Sequence, residues 1–484
     1  MARMSIAKSI AWMGCTSALG QVVTWSVTIL VARLLTPEDY GLVALSGLFT
    51  VFAQSVSELG VGAAVIQRES VTEHQIRSLY GLSLLTGVVM TLIGYLAGPV
   101  LAWIFSDERL SNLVAFQSLI FIVAAMKSMQ RNVLVRETRF DLIAKVETIS
   151  RIGTSCCTLA MAATGFGYWA LAAQWLLIEF FQFIMFSRIE RIRPTLLIRY
   201  SEIRDILYFG IGIMVRSIFF QLYALVDTAI LGKLATKDFL GAYGFAKQLT
   251  NMPFEKIVRI VNQVLYPYLA RNQGDISALR ELTLKAAEHQ ALVIAPFYYI
   301  LFFCADETVS ILLGPNWSQA VFPLKIFCVA CLFRLAESYN INCMTAMGMI
   351  YEQIRYMLTL IIVLSVSITL IAATAGPRYS LFIWITAYPL LSLGFSKALL
   401  ARLGISFAQV ISRLRRIAMI HIALITVMIL ASSHQYSDNF MALAFKCGAG
   451  VGFYIVANML FNMECLRKLV NNIFPNSSSN RQAA

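Results

Sequence analysis

The sequence predicts an all-α polytopic membrane protein of about fourteen transmembrane helices built from two repeated halves. Three observations carry that expectation. Of 484 residues, 58% are hydrophobic and only 13% are charged, against about 25% charged in a soluble domain. The apolar residues fall into runs long enough to cross a bilayer, which takes about 20 residues each. A polar turn between two such runs recurs 200 residues later with identical or similar residues at five positions.

The runs cover residues 9–32, 41–66, 79–105, 111–130, 142–164, 168–187, 206–232, 239–270, 287–304, 321–346, 356–376, 379–400, 416–431 and 440–463. The eighth is long and polar, the tenth carries charge and the thirteenth is short. The first follows the N-terminus directly, with no small-residue cleavage site behind a short apolar core, and reads as a retained helix. Basic residues between the runs set the orientation. With the N-terminus inside, cytoplasmic segments hold 25 of the 39 Lys and Arg, counting Lys145, Lys397 and Arg416 at cytoplasmic helix ends; outer loops hold five, and the other nine lie within helices. That bias predicts an even helix number with both termini cytoplasmic. It also assigns the net charge of +13 to the membrane face, so no nucleic-acid partner is expected. The longest outer loop, Ala305–Ala320, leaves no room for a catalytic domain.

The recurring turn is Ala32–Leu42, ARLLTPEDYGL. Thr36 suits an N-cap, Pro37 a first helical position, and Glu38 and Asp39 the positive end of the helix that follows. At Gly232–Ala242, GKLATKDFLGA, Arg33 meets Lys233, Leu34 meets Leu234, Thr36 meets Thr236, Glu38 meets Asp238 and Gly41 meets Gly241. Upstream, Gln21 meets Gln221. A duplicated hairpin at a fixed offset is the mark of an internally repeated transporter. The expected division is an N-lobe over 1–190, a basic cytoplasmic linker over 191–205, a C-lobe over 206–402, two further helices over 403–470 and a disordered polar tail over 471–484.

Charges at helix centres cost about 2.5–3.5 kcal/mol on insertion scales, so they face cavities or partners. The nine intramembrane bases are accompanied by Glu58, Glu147, Glu179, Asp227, Glu255 and Glu337, a basic balance that suits an anionic solute. Lys247, Asn251, Glu255, Arg259 and Gln263 recur every four residues on one face of the eighth run, with Pro253 breaking the ladder among them. The substrate-cavity candidates are Arg216, Lys256, Arg259, Arg334, Lys247 and Asn251. Glu58, Glu179 and Glu255 are the candidate coupling acids. For Arg216, Lys256, Arg259 and Arg334 the bland reading is an inter-helix salt bridge to Glu255, Glu337 or Glu58. Asp227, Lys247 and Lys325 read equally as rim charges. Glu147 and Arg151, four apart, read as a structural pair. Lys127 and Lys446 read as snorkelling side chains, and Trp12, Trp103, Trp169 and Trp317 as interfacial anchors. Nine cysteines lie mostly inside apolar runs and four histidines show no ligand spacing, so neither a metal nor another cofactor is expected.

At Ala32–Leu42, with Glu58–Arg68 (ELGVGAAVIQR) and Val264–Arg271 (VLYPYLAR), the chain resembles bacterial polysaccharide transporters of the Wzx type. These belong to the multidrug/oligosaccharidyl-lipid/polysaccharide superfamily, and the likeness is to its colanic-acid and exopolysaccharide exporters. The resemblance implies two pseudo-symmetric six-helix lobes around a central cavity plus two C-terminal helices. It implies an inner-membrane flippase, not an enzyme, that moves undecaprenyl-pyrophosphate-linked oligosaccharide repeat units by alternating access. Membrane lipid and the polysaccharide polymerase or export machinery are the implied partners.

Competing readings differ in residues. A multidrug exporter of the superfamily would carry an acidic cavity for cationic drugs, whereas the balance here is basic. A lipid II flippase differs only in substrate. A membrane glycosyltransferase, polymerase or ligase needs a large outer loop or an acidic motif. A nucleotide-driven pump needs a phosphate-binding G-x-x-x-x-G-K-[ST] loop, which is absent from the sequence.

Overall fold

The computed structural model describes residues 6–57, 62, 65, 71–195, 200–271, 275–434, 436 and 438–461. Its contacts group into two compact units, Met1–Gly244 and Phe245–Ala484.

The first unit begins with α1 (Ile6–Leu34) and α2 (Pro37–Ser57). The turn between them is set by a reciprocal cap. Asp39 accepts from the amide and hydroxyl of Thr36 at 2.9 and 2.8 Å, and the Asp39 amide donates back to the Thr36 hydroxyl at 3.3 Å. Two of the amides left open at a helix start are thereby satisfied. Next come α3 (Glu73–Phe105), α4 (Arg109–Arg136), α5 (Phe140–Ala163) and α6 (Tyr168–Ile189). Then α7 (Tyr200–Leu234) leads into α8 (Lys237–Arg271), whose start also belongs to this unit. Thr236 caps α8 as Thr36 caps α2, accepting from the Phe239 amide at 3.3 Å.

The two repeated hairpins pack on each other. A Cβ on Gly41 would fall on the backbone carbonyl of Lys237, and one on Gly241 would fall on that of Pro37. Positions 37 and 237 are themselves counterparts at the 200-residue offset, so the contact obeys a local two-fold. Only glycine lets backbones approach this closely.

In the second unit α8 continues. It is followed by α9 (Ile276–Val293), α10 (Ala295–Phe303), α11 (Ala305–Leu312), α12 (Val321–Ala346) and α13 (Ile350–Thr374). Two short turns, Pro377–Ser380 and Leu381–Ile385, precede α14 (Ala387–Arg402), α15 (Phe407–Ser433) and α16 (Asn439–Phe461). The break between α9 and α10 follows from Pro296, which has no N–H for the Leu292 carbonyl four residues back. The Tyr454 hydroxyl on α16 donates to that carbonyl at 2.6 Å. His421 on α15 bonds the backbone at Ala291.

On α13, Leu360, Leu364 and Ile368 are buried while Ile362, Val366 and Leu370 are exposed. A helix apolar on both its packed and its open face needs lipid around it. Eleven helices among the described residues are long and apolar enough to span. Each of the fourteen expected runs overlaps a helix, and three of these helices stand outside the eleven: α1, α5 and α8. The last two carry charge, Asp141, Lys145, Glu147 and Arg151 on α5 and Lys237, Asp238, Lys247 and Glu255 on α8. The thirteenth run, short in the sequence, belongs to a 27-residue helix.

Candidate functional site: polar clusters within the helices

In the second unit the four-residue stripe of α8 meets the middle of α12. Arg334 Nη1 donates to Asn251 Oδ1 at 2.5 Å, and its guanidinium lies 4.7 Å from the Phe254 ring centroid. One turn earlier on α8, Lys247 Nζ sits 5.9 Å from the centre of the Trp384 ring. Trp384 packs on Tyr388 with centroids 5.3 Å apart, and the Tyr388 hydroxyl donates to the buried Glu337. Two cations thus rest on aromatic faces and an amide oxygen. Such faces attract positive charge by about 0.5–2 kcal/mol. Lys247, Asn251 and Arg334 are all partly exposed, so the edge of the cluster is accessible.

The first unit holds a different pair. Lys127 Nζ lies 2.6 Å from Glu179 Oε2 and 2.6 Å from Gln182 Oε1, with both charged side chains largely buried. Arg131 pairs with Glu147 at 3.0 Å. At the turn between α3 and α4, Asp107 bonds Arg109 at 2.9 Å and also Lys237, while Arg109 reaches Glu38 at 2.5 Å. Burial works against ionisation of Asp107, but the hydrogen bonds from Arg109 and Lys237 outweigh it and hold the carboxyl well below its usual range.

The candidate residues are therefore distributed. Arg334, Asn251 and Lys247 share one cluster. Glu179 is paired with Lys127, and Glu255 is exposed on α8. Glu58 and the side chains of Arg216, Lys256 and Arg259 lie outside the described residues.

Several bland expectations change. Lys127 and Lys446 do not snorkel: each pairs with a buried acid, Lys446 with Glu307 at 2.5 Å. Glu147 pairs with Arg131 on the neighbouring helix instead of Arg151 on its own. Asp227 is buried, accepting from the Thr228 amide at 2.6 Å and from the Tyr243 hydroxyl, and is no rim charge. Trp317 is fully enclosed against Phe245 and anchors no interface. Lys325 pairs with Asp306 at 2.5 Å, as a rim charge would. Sequence reasoning missed Trp384, Tyr388 and Gln182 because single polar or aromatic residues in apolar runs give no periodic signal.

The fold matches solved transporters. It superposes on "Lipid II flippase MurJ, inward closed conformation" with a TM-score of 0.74, at 13% identity, covering 94% of this chain and 100% of that one. An inward-facing multidrug resistance MATE family transporter of the MOP superfamily gives 0.61 at 13% identity over 80% of this chain and 95% of that one. Among sequence relatives, the teichuronic acid biosynthesis protein TuaB of Bacillus subtilis is 28% identical over 62% of each chain. The lipopolysaccharide biosynthesis protein WzxC of Escherichia coli is 24% identical over 63% of this chain and 62% of its own. Both matches span less than two thirds of the relatives' length. The polysaccharide biosynthesis protein family is matched over residues 30–322, more than half of the chain, and the chain belongs to that family.

Proposed function

We propose that the chain is a flippase that carries undecaprenyl-pyrophosphate-linked oligosaccharide repeat units from the cytoplasmic to the periplasmic leaflet of the bacterial inner membrane. Fourteen helices cross the bilayer, six in each of two lobes and two at the C-terminus, with both termini cytoplasmic. Transport proceeds by alternating access and makes or breaks no bond in the cargo. The lipid tail stays in the bilayer while the pyrophosphate and sugars traverse a cationic cavity.

The observation that carries this reading is the Arg334–Asn251–Phe254 cluster with Lys247 one turn away. Guanidinium groups bind phosphate oxygens through paired N–H donors. Family membership and a fold shared with a lipid flippase support the same assignment. Arg216, Lys256 and Arg259 extend the cationic lining, and Glu58, Glu179 and Glu255 are the acids through which an ion gradient couples to the cycle.

The test is polysaccharide export per folded transporter in Arg334 variants. Arg334→Ala abolishes export at unchanged abundance, and Arg334→Lys retains part of it where charge alone suffices. Normal export per molecule from Arg334→Ala overturns the cavity assignment.

A further inference from the structure

Cys304 and Cys447 stand apart from the other cysteines. Cys328 and Cys331 share one turn of α12, and Cys156 and Cys157 are neighbours on α5. Cys304 instead ends α10 and Cys447 lies on α16, 143 positions later in the chain. Their Sγ atoms are 3.8 Å apart, and both residues carry free thiols. A disulfide needs about 2.05 Å between sulfurs, so the two sulfurs have under 2 Å still to close.

The surroundings hold the two thiols in register. Lys446, next to Cys447, bonds Glu307, three residues after Cys304. Lys446 also reaches the Phe303 carbonyl at 3.4 Å. Both ends of the thiol contact are thus tied by a buried ion pair across the same two elements. Asn439 at the start of α16 adds a bond to Ser310 at 2.9 Å. Cys304 directly precedes Ala305–Ala320, the segment read from the sequence as an outer loop. Cys304 is fully buried and Cys447 half-buried.

We propose that Cys304 and Cys447 form a reversible modification site, oxidised to an intramolecular disulfide by exchange with a protein disulfide of the outer compartment. The Cys447 thiolate attacks one sulfur of the carrier disulfide, whose S–S bond breaks and releases one carrier thiolate. The Cys304 thiol gives up its proton and attacks the Cys447 sulfur of the mixed disulfide, expelling the second carrier thiolate. The two protein thiols lose two protons and two electrons, and the carrier is reduced to a dithiol. The product staples α16 to the junction of α10 and α11. The inference rests on the orientation given under the proposed function, which puts this junction on the outer side.

The full-length protein is harvested from cells by lysis in denaturant with N-ethylmaleimide present, then digested and mapped by mass spectrometry. The expected result is a reductant-sensitive cross-link between the Cys304 and Cys447 peptides, with the cysteines of α5 and α12 alkylated. Cys304→Ala then leaves Cys447 alkylated at harvest, and Cys447→Ala does the same for Cys304. Alkylation of both cysteines in the unsubstituted protein at harvest overturns the proposal. In that case, oxidised glutathione added to the detergent-purified protein separates the causes. A cross-link formed there shows the pairing sound and the orientation wrong, whereas none shows the pairing itself wrong.

Discussion

Gly41 and Gly241 are counterparts across a local two-fold, each occupied over its missing side chain by the backbone carbonyl of the other hairpin's first helical residue. The duplication that the sequence shows as a 200-residue offset is here a self-complementary contact, as two-fold interfaces require.

This contact makes a prediction with an inverted sign. In a helix interior Gly→Ala ordinarily stabilises, by up to about 1 kcal/mol. Gly41→Ala and Gly241→Ala are each expected to destabilise by about 1–3 kcal/mol, because the new methyl meets backbone that cannot rotate away. Gly47→Ala on the same helix α2, where nothing lies within 4 Å of a Cβ, is expected to be neutral or stabilising. Thermal unfolding in detergent checks all three. Because the two tight glycines share one contact, the double variant loses less than the sum of the singles.

The turn at Asp107 predicts a pH dependence. Its carboxyl is held below the usual range by Arg109 and Lys237, so its contribution is full above the unfolded pKa of about 3.9 and is lost as pH falls through the lower folded value. Melting curves at pH 7 and pH 3 are expected to differ more for the unsubstituted protein than for Asp107→Asn. An equal difference would refute the assignment.

Lys127 and Glu179 test whether a buried pair is structural or coupled to transport. Glu179→Gln leaves the buried Lys127 ammonium with Gln182 but without its charged partner, a loss of about 3–5 kcal/mol when such pairs are broken from one side. Replacing both residues together, Lys127→Met with Glu179→Leu, is expected to restore abundance. Export per molecule in that double variant then reports on coupling. Full export would remove Glu179 from the acids that matter.

Much of the fold was legible because lipid imposes simple rules. Twenty-residue apolar runs, Thr36 and Thr236 as caps, and the repeat between Ala32–Leu42 and Gly232–Ala242 are all local or periodic features. The charge partners were not legible. Glu147 has Arg151 four residues away on its own helix, yet Arg131 on α4 competes for it successfully. Lys446 and Glu307 lie 139 positions apart and nothing in either neighbourhood announces the other. The cavity cluster was half legible. The stripe Lys247–Asn251–Glu255 follows from helical period, whereas Trp384 enters from a short turn that has no period to read.

Tyr454 provides the last prediction. Tyr454→Phe removes the donor to the Leu292 carbonyl, leaving a buried acceptor open at a cost of about 1–3 kcal/mol. A comparable loss of thermal stability is expected from this single hydroxyl, with Tyr436→Phe, whose hydroxyl bonds Ala431 near the end of the preceding helix α15, as the milder control.

The same bond sets an order of events during synthesis. Leu292 enters the membrane with a carbonyl that Pro296 cannot satisfy, and the group that satisfies it is made 162 residues later. Until Tyr454 leaves the ribosome, the ninth span carries an open acceptor in hydrocarbon. A nascent chain stopped after Arg402 is therefore expected to hold its first six spans in finished form and α9–α10 in an unfinished one. Protease or quality-control sensitivity would then fall on that helix rather than on the hairpin at Thr36.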